Sequence, residues 1–558
     1  MRTWEASLLG TAVLVLGACA PATPPSPPAP SAPASGLPAA PAAPAAPQPK
    51  YGGIVAYTAT SWAETLHPHK TGSVGERRNV GSIYETLLVY DWAPPGDHRI
   101  DQNVAPWLAE SWSQPNPTTY LFKLHQGVKW QDGQDFTAED VVFTFRELMN
   151  KDNNYPMRSR LEGVTSVTAP DRFTVRVERQ SPSPAFLGQI ADFNMLIMPK
   201  HVVERGDDLT KVAIGTGPLK IKSFDRTRSL QHVRNENYWQ AGKPYIAGME
   251  TFVNMDQSTR EAAFLTKRVD IRAPASKKQM DETQARIPDV KSAIGTTDYG
   301  NSLLMQLGKP PFNDIRVRKA LHLAVDRPNL LKVSDFGNGV INPAGGVGSR
   351  TGWVIPPEEL SKMPGYRPDK TQDLAEAKRL LAEAGYADGL KTTTLYSASY
   401  QSTPRILEGM AAQLRAIGVD LVLQGKPTAD FRKGIIEGSY ETAMEFAADM
   451  TFKRQQEIMH SKGPFNKYGL NDPKLDELLD AQFTEMDLER RKRASIEMQR
   501  YLEEKLYVIP TVEVGTYQAW HPWVHDYWYN IGVSEILEAY SLAPLWLDVD
   551  QMPADRRG

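Results

Sequence analysis

Residues 106–148 constrain the fold more than any other stretch, because a strand, a turn and a helix follow one another there. Apolar side chains at Tyr120, Phe122 and Leu124 alternate with other residues, which predicts a strand with one buried face. An Asp-Gly pair at 132–133 then indicates a turn. The first half of the stretch therefore predicts an exposed turn after a half-buried strand.

The second half of the same stretch predicts a helix with a defined start. Thr137 is followed three positions later by Asp140, the spacing of a capping box, in which each residue satisfies a backbone N–H of the other. Apolar residues at Val141, Phe145 and Leu148 then recur at helical spacing and share one face. The stretch as a whole predicts a chain that mixes strands and helices.

Two later segments repeat the order of helix, glycine and strand. We predict a helix from Asp373 to Gly385, with Asp373 as its cap and the glycine as its end. A second helix is predicted to open at Thr403-Pro404 and to end at Gly418, followed directly by a strand. This order, met repeatedly, indicates an α/β architecture.

Length and composition limit the possibilities further. The chain has 558 residues, too many for one hydrophobic core, so about two to four domains are expected. The formal net charge is −3, which gives no support to binding of nucleic acid. Cys19 is the single cysteine, so no disulfide can form within one chain.

The N-terminal residues 1–19 have the pattern of a bacterial export signal. Leu8 to Leu16 are apolar or small, a run too short to span a membrane, and Arg2 precedes them. Leu16-Gly-Ala-Cys19 resembles a lipoprotein signal, in which the cysteine becomes the lipidated first residue of the mature chain. The alternative is an ordinary signal peptide with an incidental cysteine.

Residues 20–50 are expected to form a linker rather than a domain. Between residues 20 and 49 there are 12 Pro and 11 Ala among 30 residues. Proline fixes one backbone angle and removes a hydrogen-bond donor, so this stretch is expected to be extended. Behind a lipid anchor it would act as a spacer between the membrane and the folded part.

Several motifs, in a consistent order, resemble the extracellular solute-binding proteins of ABC transporters, in the oligopeptide, dipeptide and nickel branch. The stretch at 106–148 carries LAESW, YLFKLHQGVKWQDG and FTAEDVVFTF. The other motifs are GGIVAYTATSWAETLHPH from residue 52, IYETLLVYD from 83, GTGP from 215, RNENYW from 234 and PPFNDIRVRKALHLAVD from 310. The resemblance covers roughly residues 50–548, nearly all of the chain behind the linker.

The resemblance implies a fold class and a division of the chain. The fold would be α/β, two-lobed and periplasmic-binding-protein-like, of the hinge-closing type II, with an extra third domain. Lobe I would consist of residues 51–81, 213–292 and 521–548. The extra domain would be residues 82–212, and lobe II would be residues 293–520.

The resemblance also implies a function. Such a protein captures a solute between its lobes and delivers it to ABC permease subunits that work with an ATPase. The expected solute is small and peptide-like, and the expected protein is a monomer, exported and lipid-anchored at Cys19, facing the periplasm or the cell exterior. We expect no cofactor, no metal, no catalytic residue and no nucleic acid partner.

Glu445-Phe-Ala-Ala-Asp449 contains the sharpest candidate solute contacts. Peptide-binding members carry an aromatic residue three positions before an aspartate that pairs with the α-ammonium of the peptide, and Phe446 and Asp449 match those positions. An acidic side chain facing an ammonium group in a closed cleft is a sound anchor. The alternative is a solvated Asp449 at the end of a strand.

Four further residues are candidate solute contacts in loops and lobe edges: Trp62, Tyr299, Asn301 and Tyr400. A position in a core or on the surface is the main alternative for each of them. The histidine clusters His67-Pro-His69 and His521-Pro-Trp-Val-His525 lack a cysteine or a carboxylate at ligand spacing.

Three alternatives to a peptide importer component remain open at this point. The solute could be an opine, a sugar or a metal chelate. The same fold could serve as a ligand sensor that presents its closed form to a signalling partner. A secreted hydrolase would require a catalytic motif, and the common motifs for nucleophilic serine, zinc or phosphate sites do not occur in the sequence.

Overall fold

The computed structural model describes residues 48–59, 65–70, 80–90, 104–225, 227–252, 255–274, 276–296, 301–341, 353–399, 402–446, 453–466, 469–527 and 539–557. All elements below belong to the unit Pro49–Gly558.

Strands are distributed along the whole described chain. Before residue 300 they are β1 (Ile54–Thr58), β2 (Leu88–Tyr90), β3 (Val104–Pro106), β4 (Ala109–Asn116), β5 (Thr119–Leu124), β6 (Val164–Asp171), β7 (Thr174–Arg179), β8 (Leu219–Asp225), β9 (Ser229–Arg234), β10 (Gly248–Phe252), β11 (Ile271–Arg272) and β12 (Lys291–Thr296). After it they are β13 (Asn301–Met305), β14 (Gly339–Ile341), β15 (Leu390–Ser397), β16 (Val419–Lys426), β17 (Thr442–Phe446), β18 (Val508–Pro510), β19 (Val512–Trp520), β20 (Val524–His525) and β21 (Trp546–Leu547).

Helices are concentrated in the second half of the described chain. Before residue 300 they are α1 (Ala138–Met149), α2 (Phe186–Ala191), α3 (Lys200–Glu204), α4 (Gln257–Leu265) and α5 (Lys277–Arg286). After it they are α6 (Ile315–Ala324), α7 (Arg327–Asp335), α8 (Pro357–Leu360), α9 (Thr371–Glu383), α10 (Ser402–Arg415), α11 (Thr428–Glu437), α12 (Lys453–Met459), α13 (Pro473–Thr484), α14 (Leu488–Lys505) and α15 (Ala539–Leu542).

The first sheet joins strands from both ends of the described chain. Its order is β12-β19-β11-β1-β10-β9-β8, and β14 also pairs with β19. Strand β1 runs parallel to β10 and to β11, whereas the other pairs are antiparallel. Val55 and Ala56 belong to different apolar clusters. Because successive strand residues point to opposite faces, both faces of this sheet are covered.

The second sheet has the order β16-β15-β17-β13-β18. Strand β15 runs parallel to β16 and β17, and β13 is antiparallel to β17 and β18. Leu303 and its neighbour Leu304 belong to separate apolar clusters built from different helices, so this sheet is also covered on both faces. Parallel strands covered on both faces are typical of α/β proteins.

The third sheet contains β5, the strand predicted within residues 106–148. Its order is β4-β5-β7-β6, and all its pairs are antiparallel. The predicted capping box is present, since the backbone N–H of Thr137 donates to Oδ2 of Asp140 at 2.9 Å. Val141, Phe145 and Leu148 of α1 are buried in the same core as β5, as predicted. Burying each such side chain contributes about 1.5–3 kcal/mol.

The predicted cap of α9 is wrong. The helix begins at Thr371 after Lys370, so Asp373 lies within its first turn. The Asp373 carboxylate instead accepts hydrogen bonds from the Nζ of Lys370 at 3.0 Å and from the backbone N–H of Gly365 at 2.9 Å. These partners draw the acidic side chain into the core. Helix α10, by contrast, opens where predicted and buries Ile406, Met410 and Leu414.

Candidate functional site

Two neighbouring passes of the chain connect strands of the first sheet to strands of the second, and β14, which follows α7, makes a further link by pairing with β19. One pass leaves β12 and enters β13 at Asn301, and the other leaves β18 and enters β19 through Thr511. The backbone N–H and the hydroxyl of Thr511 both donate to the carbonyl oxygen of Asn301, at 3.0 Å each. Strand β12 pairs with β19 and β13 pairs with β18, both antiparallel, so the strands before and after the two passes are neighbours in both sheets. Connections of this kind can act as hinges.

Two of the predicted solute contacts lie beside these passes. Asn301 is the first residue of β13 and Phe446 is the last residue of β17, and the two are partners in the register between those strands. Asn301 is buried, with 5% of its surface exposed. The structure therefore brings Asn301 and Phe446 together at the edge of the second sheet that faces the first, and their contact with a solute stays a prediction.

The other predicted contacts lie outside the described residues. They are Trp62, Tyr299, Tyr400 and Asp449, and the predicted lipidation residue Cys19 lies outside them as well.

Glu445, the acidic residue that begins the predicted motif, pairs within its own region. Its side chain is 1% exposed, and its Oε2 accepts a hydrogen bond from Nη1 of Arg432 in α11 at 3.1 Å. The charge of Glu445 is thereby compensated by a neighbouring helix. Of the two acidic residues in the motif, Asp449 is therefore the one that remains a candidate for the solute.

A polar cleft of about 380 Å³ lies between the third-sheet region and the helices beside the second sheet. Pockets for small ligands are typically about 300–1,000 Å³, so this cleft is large enough for one. One wall includes Glu162, Arg179 and Gln189, and the other includes Gln456, His460 and Lys462. Helix α12, which supplies the second wall, begins four positions after Asp449 in the sequence.

Arg179 is held in a fixed position on the third-sheet wall. Its guanidinium carbon lies 4.7 Å from the ring centroid of Phe186, and its Nη2 donates to the carbonyl oxygen of Glu162 at 3.1 Å. Its Nε and Nη1 are buried and donate no hydrogen bond to any group in the described part of the chain. Burial lowers the pKa of Arg179 below its ordinary value, but an arginine remains charged at neutral pH.

A buried carboxylate, Glu85, joins the third-sheet region to the first sheet. It accepts hydrogen bonds from Nε1 of Trp107 and the hydroxyl of Tyr238, at 2.8 Å each, and from Nε1 of Trp239 at 3.1 Å. Burial raises the pKa of Glu85, and the hydrogen bonds from these donors oppose that shift. Three of the motifs noted in the sequence thus meet at one carboxylate. They are IYETLLVYD, LAESW with its preceding Pro-Trp, and RNENYW.

A second buried carboxylate, Asp335, lies where the first and second sheets approach each other. It ends α7, and its oxygens accept hydrogen bonds from the backbone N–H of Lys277, at 3.1 Å, and from the hydroxyl of Tyr517. Burial raises the pKa of Asp335, and the Tyr517 hydrogen bond opposes that shift. Lys277 begins α5 and Tyr517 belongs to β19, so Asp335 connects the helices of the second sheet to the first sheet.

A buried cluster holds the second-sheet end of the Thr511 pass. Nε of Arg327 donates to the carbonyl oxygen of Pro510 at 3.0 Å, and the hydroxyl of Tyr366 donates to Oε1 of Glu503 at 2.6 Å. The guanidinium of Arg327 lies over the Tyr366 ring, 4.2 Å from its centroid. Burial raises the pKa of Glu503 to about 7, although Tyr366 and Arg327 act in the opposite direction.

The histidines of the two clusters make packing contacts and hydrogen bonds within the protein. His67 contacts the hydroxyl of Tyr155 at 3.2 Å, and His69 contacts the carbonyl oxygen of Leu196 at 2.7 Å. Burial lowers the pKa of His67 to about 4 and that of His69 to about 3, so both are neutral at pH 7. His521 stacks on Phe264 with 4.3 Å between the ring centroids.

The described residues contain neither a cluster of metal ligands nor a helix suited to a membrane. Within them, no group of three or more His, Cys, Asp or Glu side chains is arranged to hold a metal ion. No helix in the described ranges has both the length and the apolar character that a membrane crossing requires.

Sequence reasoning missed Glu85, Arg179 and Asp335. Glu85 lies in the motif IYETLLVYD, which was recognised, but the motif does not indicate that the Glu85 side chain is buried. Arg179 is followed by a Ser-Pro-Ser-Pro run at 181–184, which marks the end of a strand without indicating a cleft. Asp335 lies in no motif that we recognised, and its partners are far away in the sequence.

Comparisons with known proteins identify related sequences. A family model described as "Bacterial extracellular solute-binding proteins, family 5 Middle" matches residues 103–459. The glutathione-binding protein GsiB of Salmonella paratyphi A is 28% identical over 357 residues, which are 64% of this chain and 66% of that protein. The match thus spans slightly less than two thirds of the relative.

Solved structures share the fold over almost the whole chain. The oligopeptide-binding protein AppA from Bacillus subtilis, in complex with a nonapeptide, has a TM-score of 0.74 and 20% identity, covering 90% of this chain and 100% of that one. MoaA from A. tumefaciens, in complex with mannopinic acid, has a TM-score of 0.71 and 24% identity, covering 89% of this chain and 99% of that one. These likenesses confirm the expected fold class, a hinge-closing, two-lobed α/β fold of type II with an extra domain.

Proposed function

Because the chain belongs to the bacterial extracellular solute-binding proteins of family 5, we propose that it captures a peptide-like solute between two lobes and delivers it to an ABC permease. The observation that carries this proposal is the pair of passes at Asn301 and Thr511, which connects two different sheets. A solute that contacts both lobes binds the closed form better than the open form. It shifts the equilibrium towards closure by that difference in affinity.

The related proteins support a peptide-like solute. One relative is named for binding glutathione, and one structure with the same fold holds a nonapeptide. A second candidate solute is an opine, which the structure of MoaA with mannopinic acid favours. In either case the permease subunits and their ATPase would be the protein partners, and this protein would change no bond of the solute and so would not act as an enzyme.

The proposed domain division follows the sequence. Lobe I takes residues 51–81, 213–292 and 521–548, the extra domain takes 82–212, and lobe II takes 293–520. The pairing of β12 and β19 within the first sheet supports moving the two borders of lobe II inward. One border would then fall within residues 297–300 and the other at Thr511.

The proposal includes a location and an anchor. The chain is exported by the signal at residues 1–19, lipidated at Cys19 and held off the membrane by the linker at 20–50, and it acts as a monomer in the periplasm or at the cell exterior. The position of the single cysteine behind a short apolar run supports this part of the proposal. A mass shift of the mature N-terminus by a diacylglycerol group would test it.

Asp449 is the proposed anchor for an ammonium group of the solute, beside Phe446. Trp62, Tyr299, Asn301 and Tyr400 are further proposed contacts. The register between Asn301 and Phe446 supports this set, because it puts two of its members next to the passes between the sheets.

Native mass spectrometry of the gently purified chain tests the proposal. We expect a discrete extra mass that is lost on denaturation and that matches short peptides. Asp449→Ala should abolish its retention, whereas Asp420→Ala, a change at an exposed position of β16, should not. An extra mass that matches an opine would replace the peptide by the second candidate. Equal retention by both variants would remove Asp449 from the site.

A further inference from the structure

We propose that the buried carboxylate of Asp335 is the pivot about which the two lobes turn, so that it positions the closed form without touching the solute. This inference rests on the proposed function, because it concerns how the proposed lobes close on a solute. Asp335 ends α7 in the proposed lobe II, and it contacts α5 and β19 of the proposed lobe I.

The carboxylate of Asp335 reaches across the border between the proposed lobes. From lobe I it accepts hydrogen bonds from the backbone N–H of Lys277, at 3.1 Å, and from the hydroxyl of Tyr517. From lobe II, Nη1 of Arg405 lies 4.0 Å from Oδ1 of Asp335. The Asp335 side chain is 0% exposed, so its charge is stabilised by protein groups of both lobes and not by solvent.

Strand β19 changes partners beside this carboxylate. Its residues up to Val514 pair with β14, whereas its pairing with β12 begins at the next residue, Gly515. The strand is therefore bound to the segment after α7 on one side of Gly515 and to the first sheet on the other. A side chain at Gly515 would crowd the contact, because a Cβ there would lie 2.8 Å from the hydroxyl oxygen of Tyr517 and 3.4 Å from Oδ2 of Asp335.

The segment that carries Asp335 is held closely against β19. The backbone N–H of Gly515 donates to the carbonyl oxygen of Asn338 at 3.2 Å, and the side-chain amide of Asn338 donates to the carbonyl oxygen of Asp335 at 3.1 Å. A Cβ at Gly339 would lie 2.1 Å from the carbonyl oxygen of Glu513, so the two backbones are in direct contact there. These contacts fix the position of the carboxylate relative to β19.

The burial of this charge favours a pivot over a latch that breaks when the lobes close. Taking a partner away from a buried charge is strongly unfavourable, whereas a solute drives closure only by its difference in affinity for the two forms. A rotation leaves groups on its axis in place and moves distant groups furthest. The contacts of Asp335 therefore persist in the open and closed forms, and the axis passes beside them, near the connection at Thr511.

The test compares two buried aspartates that differ in what they join. Asp335→Asn weakens contacts across the border between the proposed lobes. The matched control is Asp373→Asn, because the Asp373 carboxylate is also 0% exposed but binds Lys370 and the Gly365 backbone within the proposed lobe II. Tyr517→Phe is a second test variant, which removes one hydrogen bond to Asp335 and no charge. Thermal unfolding checks that all three variants are folded.

Distances between spin labels give the first readout. Labels at Lys222 and Asp420, on a Cys19→Ser background, report the separation of the first and second sheets. Without any solute, Asp335→Asn should widen this distance distribution, because the axis is no longer defined by a single buried contact. Tyr517→Phe should widen it to a smaller extent. The control variant should lose stability and keep the wild-type distribution.

Solute affinity and hydrogen exchange give two further readouts. In titration calorimetry, a short peptide that the wild type retains in native mass spectrometry should bind Asp335→Asn about fivefold more weakly, because a looser pivot lowers the fraction of binding-competent molecules. Asp373→Asn should bind it with wild-type affinity. In the wild type, the Lys277 amide should exchange equally slowly with and without this peptide, because a pivot contact is made in both forms.

Three results would overturn the inference. Equal distance distributions for the wild type and Asp335→Asn, or equal widening by Asp373→Asn, would show that Asp335 does not define the axis. A change in exchange at Lys277 on peptide binding would identify a latch that is made in one form only. The distances need no solute, so the pivot can fail while the proposed function stands. A wild type that retains no peptide would reject the peptide-like solute, and the distances would still decide the pivot.

Discussion

The third sheet and the second sheet are each attached to the first sheet, but by different means. The third-sheet region is attached through Glu85, whose carboxylate is buried beneath three side-chain donors from two regions. The second sheet is attached through the two passes at Asn301 and Thr511, through Asp335, and through the apolar side chains of Val512 and Val514 in β19, which pack in its core. One junction is an enclosed polar network around a single carboxylate, whereas the other combines chain connections with apolar contacts.

This difference determines which parts can move. Separating the third sheet from the first would leave the donors around Glu85 without acceptors, and each buried donor left unpaired costs about 1–3 kcal/mol. Bending near Thr511 needs a change of backbone angles at a few residues, and the apolar contacts of Val512 and Val514 leave no polar group unpaired when they shift. We therefore expect the first and third sheets to move as one body, and the second sheet to move against them.

The largest expected effect follows from breaking the enclosed junction. Glu85→Ala leaves the donors of Trp107, Tyr238 and Trp239 buried without an acceptor, so the free energy of unfolding should fall by about 3 kcal/mol or more. Urea unfolding measures the loss. The control Glu110→Ala, at an exposed position of β4, should change it by less than about 0.5 kcal/mol. Equal losses in the two variants would contradict the assigned role of Glu85.

The next effect concerns pH and the cluster that holds Pro510. Burial raises the pKa of Glu503 from 4.5 to about 7, so its contribution to stability is full below pH 4.5 and is lost as the pH rises through 7. The wild type should lose on the order of 3 kcal/mol relative to Glu503→Gln between about pH 4.5 and 8. Chemical unfolding at a series of pH values measures this difference. Parallel profiles for the two proteins would show that Glu503 does not titrate in this range.

A smaller effect is expected from the carboxylate at the mobile junction. Asp335→Asn keeps one acceptor oxygen but not both, so one of the bonds from Lys277 and Tyr517 is weakened and stability should fall by about 1–2 kcal/mol. Hydrogen exchange should become faster at the Lys277 amide and along β19, while the segment around Glu85 should be unchanged. Faster exchange around Glu85 as well would show that the two junctions are coupled, which would contradict their independent roles.

The smallest effect is expected at the passes themselves. Thr511→Val removes the hydroxyl bond to Asn301 but keeps the backbone one, so the loss should be about 0.5–1 kcal/mol. Thr165→Val is the control, because its hydroxyl donates to a carbonyl oxygen at the exposed edge of the third sheet, at 3.2 Å. Thermal unfolding compares the two variants. If Thr511→Val lost as much stability as Glu85→Ala, the connection between the first and second sheets would not be flexible.

The sequence was sufficient for elements whose signals are local. The capped start of α1 at Thr137 and Asp140, and the apolar face of α10, depend on residues within a few positions of each other, and both were predicted. Asp373 has the same local signal as a helix cap, yet Lys370 and the Gly365 backbone, in the loop that precedes the helix, bind its carboxylate within the first turn.

The candidate site could be predicted only in part for the same reason. Phe446 was chosen from a motif position and Asn301 from its place at the start of the second lobe, and their pairing across β13 and β17 became visible only with the sheet order. Arg179 has no local signal, because its importance depends on a cleft between segments almost 300 residues apart in the chain. Glu85 is the opposite case, because it lies in a motif that is easy to recognise in the sequence. Its carboxylate nevertheless joins two regions of the protein and makes no predicted contact with a solute.

Distance measurements between spin labels test whether the second sheet moves against the first and third sheets. With Cys19→Ser as background, one label pair at Glu110 and Lys222 spans the third and first sheets, and another at Lys222 and Asp420 spans the first and second. On addition of a short peptide that the chain retains in native mass spectrometry, the second distance should change to that of a single closed form while the first stays constant. If the first distance changes, or if neither distance changes with solute bound, the first and third sheets do not move as one body against the second.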